Sequence, residues 1–433
     1  MTVYHHAYPL ACVAWFLGLV LSAAASLRGA GRAIETSASV LGLSLGCPAW
    51  STGRLWLLRL GYYKLVRPKV QADDWVWIVD YTVQWGQEKC LVILGVRLCD
   101  LPPAGRCLSH AEVEPLELVP VRQSNGQVVY QQLTNAVAKT GVPREIISDH
   151  GTDLNAGISL FCAQHPETSP IYDIKHKTAA VLKHELEHDA DWLRFSAAVN
   201  QTTRRVQQTA LAALAPPHPK TKARYLNLAE LVRWGQTMLA LLDQPQSQWP
   251  CAFEPALVQA KLGWLQDFRS HLAAWAELFE LLTSVESFVR QQGLYAGAQQ
   301  ELQTQLYGRA QSPRAQRVCH ALLSFVAEEE SKARPDERLL GSSEVIESLL
   351  GKMKRLEQDQ AKNGFTGLIL GLSAMVSTTT KDVIQKALET VSTQKVLAWC
   401  QATLGQTVQA KRRKVFACLG KAEQKRDQLQ GAT

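Results

Sequence analysis

Three acidic residues sit in settings suited to chemistry. Asp80 falls inside the run Trp75-Val76-Trp77-Ile78-Val79-Asp80-Tyr81. Asp149 closes Glu145-Ile146-Ile147-Ser148-Asp149 and opens His150-Gly151-Thr152-Asp153. Glu347 lies in Ser342-Ser343-Glu344-Val345-Ile346-Glu347-Ser348-Leu349-Leu350-Gly351-Lys352-Met353-Lys354. A carboxylate between Val79 and Tyr81 is costly to bury unless a cation or strong donors compensate it. Two carboxylates at strand ends and a third on a helix can hold a pair of divalent metals for phosphodiester chemistry, which points to cutting and joining DNA. Lys354, two helical turns after Glu347, shares its side and suits a phosphate. Each residue also has a plainer reading: acids often end strands, Asp-x-Gly is a common turn, and a Glu/Lys helix can be an ordinary exposed face.

The elements that must position these residues are legible in outline. At 433 residues the chain is too long for one ordinary core. Hydrophobic content of 46% with 20% charged residues describes a folded protein and excludes a disordered one. A net charge of +7 is too mild to identify a nucleic-acid partner alone. The ten cysteines include no Cys-x-x-Cys pair and read as reduced, buried thiols of a cytosolic protein. Apolar residues 11–25 resemble a secretory leader, yet no Lys or Arg precedes them, so they read as a buried first helix.

Residues 8–66 read as short helices, the last beginning at a Ser51 cap and ending at Gly61. Arg54 and Arg59 there suit a recognition helix in a DNA groove, or an ordinary helical bundle. Residues 67–74 read as a linker. Strands follow at 75–83, 88–96 and 116–121, the first two joined by a turn at 84–87 and the third ending near Pro120. A helix at 127–139, a strand at 145–148, a helix at 153–163 and a short strand at 171–173 complete the series. Three meandering strands followed by helix, strand, helix, strand is the order of an RNase H-like core.

From 177 to 340 only helical patterns remain, with Trp192, Trp234, Trp249, Trp264 and Trp275 read mostly as core and one as a stacking surface for a base. Within it, His184-Glu185-Leu186-Glu187-His188 matches the two-imidazole zinc pattern with Glu185 as base. Lys183 and Glu187 are charged where such helices are apolar, and no third ligand is marked out. A zinc metalloprotease therefore stands as the alternative reading. The basic run Lys411-Arg412-Arg413-Lys414 reads as a solvated helix face.

The phrase Ser148-Asp149-His150-Gly151-Thr152-Asp153 resembles the Asp-Asn-Gly-Thr stretch of DDE transposases and retroviral-type integrases, with His150 in place of Asn. Glu347-Ser348-Leu349-Leu350-Gly351-Lys352-Met353-Lys354 resembles the Glu-Ser-Phe-Asn-Gly-x-x-Arg helix of insertion-sequence transposases. The same pattern favours Glu347 over Glu344. Asp173-Ile174-Lys175-His176 is similar to a motif preceding the insert of interrupted cores, here between the second Asp and the Glu.

The resemblance implies an α/β RNase H-like catalytic core interrupted by a large all-α insertion, with an N-terminal helix-turn-helix-like domain. The expected boundaries are 1–66 (helical, DNA-binding), 75–176 (core, first part), 177–340 (insertion), 341–375 (core, last helix) and 376–433 (helical tail). It also implies catalysis and metal ligation by Asp80, Asp149 and Glu347, which would hold two Mg²⁺, with Mn²⁺ able to substitute. Arg54, Arg59, Lys352 and Lys354 would contact DNA, and Asp173 and His176 would support the fold. The expected partners are double-stranded DNA, as element ends and target, and further copies of the chain in a homodimer or larger assembly. The expected location is cytoplasmic and nucleoid-associated, with no membrane. A catalytically inactive DNA-binding relative would share these features apart from cleavage.

Overall fold

In the computed structural model the described residues are 7–43, 46–83, 88–217, 228–249, 251–358, 365–408 and 410–418. The chain runs α1 (Leu10–Leu21), α2 (Leu27–Val40), α3 (Trp50–Val66), β1 (Trp75–Val83), β2 (Lys89–Arg97), β3 (Glu114–Val121), α4 (Gly126–Thr140), β4 (Glu145–Ser148), α5 (Thr152–Gln164) and β5 (Ser169–Tyr172). Seven helices follow: α6 (Ile174–Leu186), α7 (Ala190–Val206), α8 (Leu228–Asp243), α9 (Pro255–Leu262), α10 (Arg269–Gln292), α11 (Ala298–Leu306) and α12 (Pro313–Glu330). The chain continues through α13 (Glu344–Gln358), α14 (Leu370–Met375), α15 (Lys381–Thr390) and α16 (Thr393–Leu404). Two compact units emerge, residues 1–171 with 343–433 and residues 172–342. The sequence reading had put the junctions at 176/177 and 340/341, and the turn read at 84–87 lies outside the described residues. None of the described helices is long and apolar enough to cross a membrane.

The first unit holds a five-stranded mixed sheet in the order β3-β2-β1-β4-β5. β1 pairs antiparallel with β2 and parallel with β4. Side chains alternate between faces along a strand. Trp75, Trp77 and Val79 of β1, with Leu91, Ile93 and Ile146, therefore join Val129, Leu133 and Ala136 of α4 and Leu154, Ile158 and Phe161 of α5 in one apolar core. The intervening residues Val76, Ile78 and Asp80 point to the other face. α13 packs against β1, while α3 and α14 pack against β3.

α1–α3 fall within this same unit. The helix read as 51–61 spans Trp50–Val66, so Ser51 is inside its first turn and Gly61 does not end it. The glycine is there for proximity instead: a Cβ on Gly61 would overlap the carbonyl oxygen of Leu370 at the start of α14. Gly61→Ala is accordingly expected to cost about 1–3 kcal/mol, because two backbones must separate. A urea-unfolding midpoint equal to that of the unmodified protein would contradict this.

Lys64, one turn after Gly61, is wholly buried. Its ammonium donates to the carbonyls of Ala374 (3.1 Å), Val376 (2.6 Å) and Ser377 (2.9 Å) and to Thr379 Oγ1 (2.6 Å). Burial is the largest influence lowering its pKa, to about 7, with Arg67 and Lys69 adding to it and Glu114 opposing. Ser377 has a left-handed φ of 51°, an uncommon state for a residue with a Cβ. Arg67 Nη2 to Ser377 Oγ (3.1 Å) and Ser377 N to His110 O (2.8 Å) help to fix it.

From Ile174 on, the second unit is helical among its described residues apart from an isolated bridge between Leu294 and Leu339. Trp192 and Trp275 are buried and stack with Phe195, Trp264 and Phe268. The less buried indoles donate internally: Trp234 to Leu214 O, Trp249 to Leu241 O and Trp264 to Thr202 Oγ1, each at 3.0 Å. The cysteines depart from expectation. Cys12 and Cys90 are buried, but Cys47, Cys99, Cys251 and Cys418 are exposed, because they occupy connections and element ends rather than core faces.

Candidate active site

The parallel pairing of β1 with β4 sets the register Val76–Glu145, Trp77–Ile146 and Ile78–Ile147. Two residues beyond that last pair come Asp80, still within β1, and Asp149, which follows the last residue of β4. The parallel pairing thus brings the two residues to neighbouring chain segments. Asp80, one position after Val79, lies on the face opposite the α4–α5 core. α13, which packs on β1, brings Glu347 to the unit in its first turn together with Glu344. All three side chains are half-buried.

Local backbone fixes the two aspartates. The Tyr81 amide donates to Asp80 Oδ1 at 2.6 Å, and the Tyr81 hydroxyl is 2.8 Å from Ser124 Oγ. The Gly151 amide donates to Asp149 Oδ1 at 2.8 Å, forming an Asx turn. A Cβ on Gly151 would stand 3.2 Å from that same oxygen, so a side chain there would crowd the carboxylate. His150, between them, adopts the left-handed conformation with φ 56°. Asn and His are the non-glycine residues that tolerate this region comparatively well. The substitution of His for Asn in the motif therefore preserves the turn.

The three ligands expected from the sequence are all carboxylates, a set that would suit a hard divalent cation such as Mg²⁺. Among the described residues, the ligand oxygens of Asp80, Asp149 and Glu347 do not all come within 4.8 Å of one another, the closeness of a one-ion cage. Two ions sharing a carboxylate require only pairwise reach.

α13 is held from the β2–β3 connection. Lys352 Nζ lies 2.9 Å from His110 Nδ1. Burial first, and then the Lys352 charge, lower the His110 pKa from its ordinary value. A neutral ring can accept from the ammonium; a protonated one could not. Lys352 thus has an intramolecular partner, and Lys354 is exposed. His110 escaped the sequence reading because its partner is 242 residues away.

Arg54 and Arg59 both lie on α3. Arg59 donates to the carbonyls of Val391 (2.6 Å) and Leu388 in and after α15, and burial lowers the pKa of both arginines. Arg59 thereby ties α3 to α15. In the helical unit, Asp173 caps α6: its Oδ1 accepts the His176 amide at 2.9 Å and meets His176 Nδ1 at 3.0 Å. The spacing of that motif is the spacing of a side chain from the third residue of the helix it caps.

In the zinc-like pattern, α6 ends at Leu186, His188 lies beyond it, and both imidazoles are exposed. Glu185 is held by Arg314, whose Nε donates at 2.8 Å and whose Nη1 reaches Asp189 at 2.7 Å.

No family model matches the chain, and no curated protein matches it. Among solved structures, the chain is similar to one in the Drosophila P element transposase strand transfer complex. The TM-score is 0.42 and the identity 10%, over 88% of this chain and 93% of that one.

Proposed function

We propose that this chain is a DDE-type transposase whose sheet-containing unit is an RNase H-like nuclease core. The observation that supports the reading is the parallel pairing of β1 with β4, which brings Asp80 and the Asp149 that follows β4 to neighbouring chain segments, together with the packing of α13, the helix of Glu347, on β1. In this reading the three side chains would face a common space while the α4–α5 side of the sheet supplies a rigid core.

Asp80, Asp149 and Glu347 would hold two Mg²⁺, which supply activation of a water or 3′-hydroxyl and stabilisation of the leaving oxygen. The chain's own contribution is orientation. The Tyr81 and Gly151 amides fix one oxygen of each aspartate. His110 holds Lys352 and with it α13. Exposed Lys354 is available to a phosphate. The substrate of the reading is double-stranded DNA at the ends of a mobile element and at its target, joined by a dimer or larger assembly. Residues 172–342, interposed in sequence before Glu347, are the insertion of such an interrupted core.

The test is nicking of duplex DNA drawn from the flanks of the coding sequence, with and without Mg²⁺. Loss of a residue that merely supports a metal ligand costs about 10–100-fold, so Asp149→Asn, removing a ligand itself, is expected to lower the nicking rate by more than about 100-fold. Metal-independent nicking, or nicking unchanged by the substitution, would remove the assignment.

A further inference from the structure

The last described stretch of chain is a helix that buries none of residues 411–418. Thr407 starts it, its Oγ1 accepting the Ala410 amide at 3.2 Å and its carbonyl the Lys411 amide at 3.0 Å. Val415 and Phe416 are 56% and 60% exposed, and Arg412 lies over the Phe416 ring at 5.4 Å. Lys411, Arg412, Arg413 and Lys414 are consecutive. At 100° per residue they point into all four quarters around the helix axis. Val415 and Phe416 fall among them, so no apolar stripe is left for a core or a bilayer.

Crowded like charges destabilise such a helix. Anions on more than one side would relieve the repulsion. A flat anionic membrane engages one side and asks for an apolar face that this helix lacks. The major groove of duplex DNA admits an α-helix and has phosphates along both walls.

We propose that residues 410–418 form an anchoring helix that lies in a DNA groove, with Lys411, Arg412, Arg413 and Lys414 pairing with phosphates on both walls, independently of base sequence. The proposal takes from the preceding section only the identity of the polyanion. Its test needs no metal and no cleavage, so either reading can fail without the other.

The experiment is fluorescence anisotropy of the full chain with a duplex of arbitrary sequence, in EDTA, across a salt series. Each neutralised phosphate contributes about 0.9 to the slope of log affinity against log salt. The variant with Gln at 411, 412, 413 and 414 is expected to lose about 3–4 from that slope and at least about tenfold in affinity at moderate salt. Arg412→Gln with Arg413→Gln is expected to lose about half as much, a gradation that unfolding would not produce. Lys411→Arg with Lys414→Arg should keep the slope. An unchanged slope in the fourfold variant, or equal loss in the charge-conserving one, overturns the proposal. So does an unmodified chain that fails to bind the duplex, or one whose basic run governs binding to phosphatidylserine vesicles but not to DNA.

Discussion

Lys64→Met is expected to lower the unfolding free energy by about 3–5 kcal/mol, the range for deleting one partner of a buried charged network. The methionine fills most of the volume, so the loss reads out polar contacts rather than a cavity. Three carbonyls, those of Ala374, Val376 and Ser377, lose a buried donor. Each such loss costs roughly 1–3 kcal/mol. Ser377 then lacks one of the bonds that hold its left-handed backbone. Against a typical stability of about 5–15 kcal/mol, this is the largest single-site effect expected on folding. Thr379→Val, which removes only the hydroxyl acceptor, serves as the mild comparison at about 1 kcal/mol. Equal urea-unfolding midpoints for Lys64→Met and the unmodified chain would show that the cage contributes nothing.

Asp80→Asn is expected to have the largest effect on chemistry, a loss in nicking rate of more than about 100-fold with little change in stability. Asp80 sits on β1, the central strand, with Asp149 just past the end of neighbouring β4 and α13 packed against β1. In the proposed centre it would be the carboxylate shared by two ions. Asparagine keeps the shape and can still accept from the Tyr81 amide, so the strand has no reason to move. What disappears is the negative charge that, in the proposed centre, would face two cations. A variant that unfolds at the same urea concentration yet does not nick separates this role from a structural one.

Much of the sheet-bearing unit was readable because its signals are local. The strand at 75–83 and the helices at 127–139 and 153–163 follow from apolar runs and turn residues, and the structure places β1, α4 and α5 within a residue of those bounds. The two aspartates stood out for the same reason, as charges in or beside β-forming runs. Long-range reasons were invisible. Gly61 reads as a helix end, but it is required by a backbone more than three hundred positions on. Lys64 looks like an ordinary lysine until the chain returns 310 residues later. Arg54 and Arg59 read as DNA-contact residues by side-chain type, and the bonds of Arg59 to α15, more than three hundred residues on, were equally invisible. At His184–His188 the break is local: α6 ends at Leu186 and Asp189 caps α7 through the amides of Asp191 and Trp192, so His188 lies between the two helices. Matching a motif fixes spacing in sequence; only an unbroken helix converts that spacing into geometry.

The most direct measurement is the binding of Mn²⁺, a spectroscopically visible substitute for Mg²⁺, to the purified chain by electron paramagnetic resonance. Two ions per chain are expected for the unmodified protein, neither retained at comparable affinity by Asp80→Asn, and at most one by Glu347→Gln. Equal Mn²⁺ binding by the unmodified chain and Asp80→Asn would show that these carboxylates do not form a shared metal centre.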